Sequence, residues 1–116
     1  MMNEKLDFVQ LNLKKSFAAA VELNSVLTKV KDYACLITEP HNYKGRVSSL
    51  PPGSNIIAEG IDPRAAIVYS RGNLITKLGN LSNRDCAVGL LKLRNERIIL
   101  VSAYICLLYT SPSPRD

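Results

Sequence analysis

The sequence predicts a mixed α/β fold, one βαβ unit followed by a β-meander. Three observations predict it. A stretch free of Gly and Pro, with apolar residues at helical spacing, lies between two apolar runs of strand length. Beyond residue 54 the chain breaks into short apolar runs of strand character. Brief clusters of turn residues join those later runs, which implies antiparallel hairpins.

The first strand covers 7–13, where Phe8, Val9, Leu11 and Leu13 alternate in part with polar residues. Ser16 can cap the helix that follows, because its hydroxyl can accept from a free amide of the first turn. The helix is predicted over 17–31, with Ala20, Leu23, Leu27 and Val30 forming one apolar stripe. Residues 33–38, Tyr-Ala-Cys-Leu-Ile-Thr, form a second strand. Strand, helix and strand in this order place the two strands parallel and adjacent, with the helix across them. Pro40 ends the second strand, and a long loop follows over 40–54, closed by Pro51-Pro52-Gly53. Five more strands are expected, over 55–59, 64–70, 74–79, 85–94 and 97–104, with turns at Asp62-Pro63, Arg71-Gly72-Asn73, Ser82-Asn83 and Asn95-Glu96.

Composition narrows the function classes. At 116 residues the chain can form one small domain and is too short for two. Its 47% apolar and 22% charged residues exclude a disordered chain. A net charge of +5 favours polyanionic partners. The basic residues are scattered, among them Lys14, Lys15, Lys29, Lys31, Lys44, Arg46, Arg64 and Arg71, so a solvated mixed surface is an equally good reading. Cys35, Cys86 and Cys106 form no CxxC pair, and only His41 could join them, which argues against zinc. Cys35 and Cys86 read as small buried hydrophobes, and the odd count suits a reducing compartment. Glu4, Lys5 and Asp7 stand where a signal peptide would be apolar, and no run approaches the roughly 20 apolar residues of a membrane span. The expected location is nuclear or cytoplasmic, not secreted.

Residues 106–116, CLLYTSPSPRD, follow a strong strand abruptly and hold no further core. The string resembles the in-frame translation of a transposase adapter used for sequencing libraries. The domain is therefore read as 1–105, with 106–116 as an adapter-derived tail outside the fold. The natural protein is expected to continue past Ile105.

Four segments carry a family resemblance, in order along the chain. Residues 8–13 end a strand in Asn12 and Leu13, 35–40 deliver Glu39 before Pro40, 64–70 read Arg-Ala-Ala-Ile-Val-Tyr-Ser, and 100–104 end in Tyr104. Together they resemble the endonuclease/exonuclease/phosphatase, or DNase I-like, superfamily. Glu39-Pro40 with Tyr43-Lys44-Gly45, Arg64-Ala65-Ala66-Ile67 and Ser102-Ala103-Tyr104 looks like the endonuclease domains of non-LTR retrotransposons. The resemblance spans roughly residues 8–105 and implies the N-terminal half of a four-layer α/β sandwich.

What the resemblance implies can be set beside the ordinary reading of each residue. Glu39 would bind Mg²⁺ or Mn²⁺, since a carboxylate is a hard oxygen ligand. Alone it would read as a strand-end carboxylate in water. Asn12 would lie near the same metal and the phosphate, and reads equally as a turn residue. Tyr104 would contact the scissile phosphate, whereas an ordinary strand Tyr only packs on a sheet. Glu39, Tyr104 and Asn12 are thus the catalytic candidates, with Glu39 and Asn12 as metal ligands. His41, Tyr43, Lys44 and Arg46 are candidates for holding nucleic acid, beside the reading of a solvated polar loop. The implied partners are DNA and a reverse transcriptase in the same polyprotein, with no membrane.

The resemblance also implies a later Gly-Asp-Phe-Asn-type motif and a C-terminal Asp-His pair, and neither occurs in the sequence. The chain as written is therefore expected to be inactive. It is expected to supply most of one sheet and one helix, with the inner sheet face bare and stability marginal. A repair-type nuclease or phosphoesterase, and a non-catalytic remnant with weak nucleic-acid binding, are the alternatives.

Overall fold

The structure, a computed structural model, describes residues 5–105. The adapter-like string at 106–116, with Cys106, lies outside the described residues.

Strand β1 (Asp7–Asn12) alternates half-buried and exposed positions along its whole length. Ser16 then caps α1 (Phe17–Leu27), its Oγ accepting from the Ala19 amide at 3.1 Å. The helix stops short of the predicted residue 31. Thr28 turns its hydroxyl back onto Ser25 O at 2.8 Å, and the amides of Lys29 and Val30 bond to Val26 O and Leu27 O. That three-residue spacing tightens and ends the last turn. Ala20 and Leu27 of the predicted stripe are buried, and Leu23 and Val30 pack beside them.

Strand β2 (Tyr33–Thr38) runs parallel to β1, with Asp7 opposite Tyr33 and Asn12 opposite Thr38. The βαβ unit is present as predicted. The long loop after it contains a small hairpin, β3 (Asn42–Tyr43) and β4 (Arg46–Val47). Lys44 and Gly45 form its turn with φ of 54° and 85°, the doubly left-handed geometry of a type I′ turn. The later strands are β5 (Asn55–Ile57), β6 (Ala65–Tyr69), β7 (Ile75–Lys77), β8 (Cys86–Lys92) and β9 (Arg97–Ala103). A 3-10 turn over Gly79–Leu81 replaces the end of the strand expected over 74–79.

These strands do not make one meander. The first sheet has the order β1-β2-β6-β5, with β6 antiparallel to both of its neighbours. The second has the order β7-β8-β9. The turn between β6 and β7 is tied down to the start of β2. The Ser70 amide donates to Tyr33 O at 3.2 Å, the Tyr33 amide donates to Ser70 Oγ at 3.0 Å, and Arg71 pairs with Asp32 at 3.1 Å. The chain therefore leaves the first sheet at Tyr69 and starts another.

The expectation of a bare inner face is corrected by this change of sheet. Ala34, Ile67 and Tyr69 of the first sheet pack against Ile75, Ala87, Leu91 and Leu100 of the second. On the other side, Cys35, Ile37 and Val68 pack beneath α1. The chain thus forms three layers: helix, sheet and sheet. Two features mark how close the sheets lie. Gly89 faces Ile57 of the first sheet with no room for a Cβ. Ser102, buried on β9, donates its hydroxyl to Ile37 O of β2 at 2.7 Å. What stays open is β1, where Phe8 and Gln10 point to the inter-sheet side yet remain exposed, and the outer face of β9 at Ile99 and Val101.

Cys35 is fully buried, whereas Cys86 is only half-buried. Burial pushes the Cys35 thiol up to about 12. Among the described residues no helix is long and apolar enough to cross a membrane.

Candidate functional site

Strand direction alone gathers the site at one end of the two sheets. Parallel β1 and β2 both end where antiparallel β6 begins, so Asn12, Glu39 and Arg64 meet there. In the second sheet β8 begins where β9 ends, which brings Asp85 to Tyr104. Backbone hydrogen bonds join the pieces. Glu39 N donates to Arg64 O at 2.9 Å, Arg64 N to Arg84 O at 2.7 Å, and Tyr104 N to Asp85 O at 2.8 Å.

Glu39 stands at the centre of this end. Its carboxylate accepts from Asn12 Nδ2 at 3.1 Å, while Asn12 Oδ1 accepts from the Lys14 amide at 2.7 Å. In this geometry Asn12 presents its N–H, not its oxygen, to Glu39. The backbone of Glu39 is left-handed, with φ of 50°, and its carbonyl accepts from the Lys15 amide at 2.8 Å. Lys14 and Lys15 are left-handed as well, at 53° and 61°. Such conformations cost a residue with a Cβ about 1–2 kcal/mol each. Their grouping around one carboxylate is the pattern of strain held at a functional position.

A cavity of about 410 Å³ opens beside Glu39. Lys15, His41, Asn42, Asp62, Arg64 and Arg84 line it, so three cations face two carboxylates. Arg84 is held by Ile61 O at 2.9 Å and Asp62 O at 3.1 Å. The Asn42 amide donates to Pro63 O at 3.1 Å, and its Oδ1 is buried without a hydrogen-bond partner. An unsatisfied buried acceptor costs about 1–3 kcal/mol.

The predicted residues divide into four groups. Glu39 and Asn12 are brought together. His41 lines the cavity, its Nδ1 2.6 Å from Ser48 Oγ and its ring 5.2 Å from that of Phe17. Tyr43, Lys44 and Arg46 lie on the hairpin outside the cavity and are exposed, with Lys44 Nζ 5.4 Å from the Tyr43 ring. The hairpin is pinned to the cavity rim, because Asp62 N donates to Gly45 O at 2.9 Å. Tyr104 does not line the cavity. It stands beside Arg64, whose guanidinium lies 5.5 Å from the Tyr104 ring. Lys15, Asp62, Arg84 and Asp85 were missed as site residues, and no local motif marks them. Their role follows from strand pairing.

The chemistry of Glu39 fits a hard divalent cation, since it offers a carboxylate beside a polar cavity. No group of three or more His, Cys, Asp or Glu that could hold a metal occurs among the described residues, so Glu39 would be one ligand of an incomplete set.

No family model matches the sequence. No curated protein matches it either. Among solved structures, the chain is similar to the "Endonuclease domain of TRAS1, a telomere-specific non-LTR retrotransposon", with a TM-score of 0.60 and 20% sequence identity. The match covers 84% of this chain and 43% of that one, so the chain spans less than half the length of that structure. At this identity the likeness concerns the fold. That fold is mixed α/β, compatible with part of a DNase I-like endonuclease domain.

Proposed function

We propose that the chain is part of a metal-dependent DNA endonuclease domain of the DNase I-like superfamily, of the kind that nicks target DNA for retrotransposition. The observation that carries this reading is Glu39, strained to a left-handed φ at the end of the β1–β2 pair, held by Asn12, beside a cavity rich in cations. Mg²⁺ or Mn²⁺ bound there would polarise a phosphodiester oxygen and offset its negative charge. Asn12 orients the Glu39 carboxylate through its Nδ2. Lys15 and Arg84 attract the phosphate to the cavity, and Tyr104 stands outside it on the second sheet, beside the cavity-lining Arg64, where it would meet the phosphate backbone next to the cavity. Tyr43, Lys44 and Arg46 on the pinned hairpin lie along the neighbouring backbone, with His41 at the cavity wall. The residues described supply binding and one metal ligand, and this chain alone binds DNA without cutting it. In an intact element the partners are DNA and the remainder of a polyprotein with reverse transcriptase.

Fluorescence anisotropy of a short labelled duplex tests the reading. Binding should tighten when Mn²⁺ is added, and Glu39→Gln should remove that gain while leaving the metal-free affinity in place. Binding that ignores both Mn²⁺ and Glu39 would instead favour a non-catalytic, purely electrostatic nucleic-acid binder.

A further inference from the structure

We propose that Arg64 and Asp85 are positioning residues, a pair that sets Tyr104 relative to Glu39. The inference rests on the reading of Glu39 and Tyr104 as parts of one phosphate-handling site. Arg64 meets Asp85 through two bonds, Nε to Oδ1 at 2.5 Å and Nη2 to Oδ2 at 3.1 Å. This is the forked, bidentate geometry of a guanidinium on a carboxylate, which a lysine cannot reproduce. The same guanidinium lies 5.5 Å from the centre of the Tyr104 ring. A cation over an aromatic face holds that ring by its quadrupole.

The backbones of the two residues complete the link. Arg64 O receives the Glu39 amide, and Asp85 O receives the Tyr104 amide. Arg64 therefore touches Glu39 through its main chain and Tyr104 through its side chain. Asp85 touches Tyr104 through its main chain and Arg64 through its side chain. One pair thus joins the end of β2, the start of β6, the start of β8 and the end of β9, across both sheets.

A purely stabilising role explains this poorly. The two side chains are 36% and 43% exposed, and ion pairs in that setting add little to stability. A pair used for registration needs only the fork and the ring contact. Lys at position 64 would keep the charge and lose the fork, and Asn at position 85 would keep the shape and lose the charge.

The test uses the full chain, with two readouts. In the absence of DNA and metal, NMR of the wild type should show nuclear Overhauser contacts between the Arg64 side chain and the Tyr104 ring, with ring-current shifts on the Arg64 protons. Asp85→Asn and Arg64→Lys should abolish the corresponding contacts, and Asp85→Glu should recover them, with the unfolding midpoint little changed. The second readout is duplex affinity in a double-mutant cycle. Asp85→Asn should weaken binding about three- to tenfold, the value of about one hydrogen bond, in the wild-type background. It should weaken binding no further in a Tyr104→Phe background if Asp85 acts through Tyr104. Equal losses in both backgrounds, or ring contacts that survive Asp85→Asn, would overturn the proposal. If the chain binds no DNA, the endonuclease reading fails, and the ring contacts still decide whether the pair positions Tyr104.

Discussion

Replacing Gly89 by Ala places one methyl group between the two sheets. A Cβ at this position would stand 2.5 Å from Ile75 Cγ2 and 2.9 Å from Ile57 Cδ1. Carbon atoms prefer separations of about 3.5–4.0 Å, so the two isoleucines must retreat by roughly 0.6–1 Å. Both are buried, at 3% and 1% exposure, and have little space to enter. Overpacking of this kind costs about 1–3 kcal/mol. An opposing gain exists, because Gly inside a strand is about 0.5–1 kcal/mol worse than Ala. The steric term is the larger, and the net expectation is a loss of about 1–2 kcal/mol. For a domain of this size that lowers the melting midpoint by about 4–8 °C per kcal/mol. Thermal unfolding followed by circular dichroism measures that shift, and a urea titration measures the free-energy loss itself. The cause is separable by a second substitution. The Ile75 contact comes from the neighbouring strand β7 of the same sheet, whereas Ile57 belongs to the other sheet, so Ile57→Val, which removes Cδ1, should make the double variant less unstable than the sum of its singles if the sheets are close. A neutral or stabilised Gly89→Ala would refute the close packing of the sheets and restore the bare inner face expected from sequence.

Further outcomes follow from the charges, the buried thiol and the tail. Lys44→Ala and Arg46→Ala should each reduce the steepness of log K against log salt by about 0.9 for duplex DNA, if each contacts one phosphate, while changing sequence preference little. An unchanged slope would remove the hairpin from the interface. Burial holds the Cys35 thiol protonated up to about 12, above its usual 9.0, and burial also raises Tyr33. The folded state therefore keeps protons that the unfolded state releases. Stability from this source is complete below pH 9 and is lost as pH rises from 9 to 12. Unfolding midpoints across that range should fall less steeply in Cys35→Ala, and parallel curves would contradict the assignment. Sequencing the source transcript across the Ile105–Cys106 junction should show the reading frame departing from the adapter-like string. An encoded 106–116 in the genome would overturn its reading as a tail.

Much of the first sheet was legible because its signals are local. The cap at Ser16, the stripe of Ala20, Leu23, Leu27 and Val30, and the apolar run before Glu39 each lie within a few residues. They fixed the βαβ unit and, through parallel register, brought Asn12 to Glu39. The division into two sheets was not legible. An alternating strand shows which residues face inward without showing which sheet it joins. That choice is made by Asp32–Arg71 and Tyr33–Ser70, contacts between segments nearly forty residues apart in sequence. The hairpin at 42–47 left one trace, Gly45 beside a charged residue, but its strands are two residues long and carry no period. Arg64 was quoted as part of a motif, yet its partner Asp85 lies 21 residues away and looks like any strand-start carboxylate. Tyr104 was found by wording alone, and the structure places it behind Arg64 instead of in the cavity.

Titration of the uniformly labelled chain with substoichiometric Mn²⁺, followed by amide line broadening in NMR, tests the central claim most directly. Broadening should centre on residues 12, 38, 39 and 64, spare the distant turn at 94–96, and vanish in Glu39→Gln while the remaining spectrum stays folded. Broadening that is diffuse, centred elsewhere or unchanged by Glu39→Gln would contradict a divalent-cation site at Glu39.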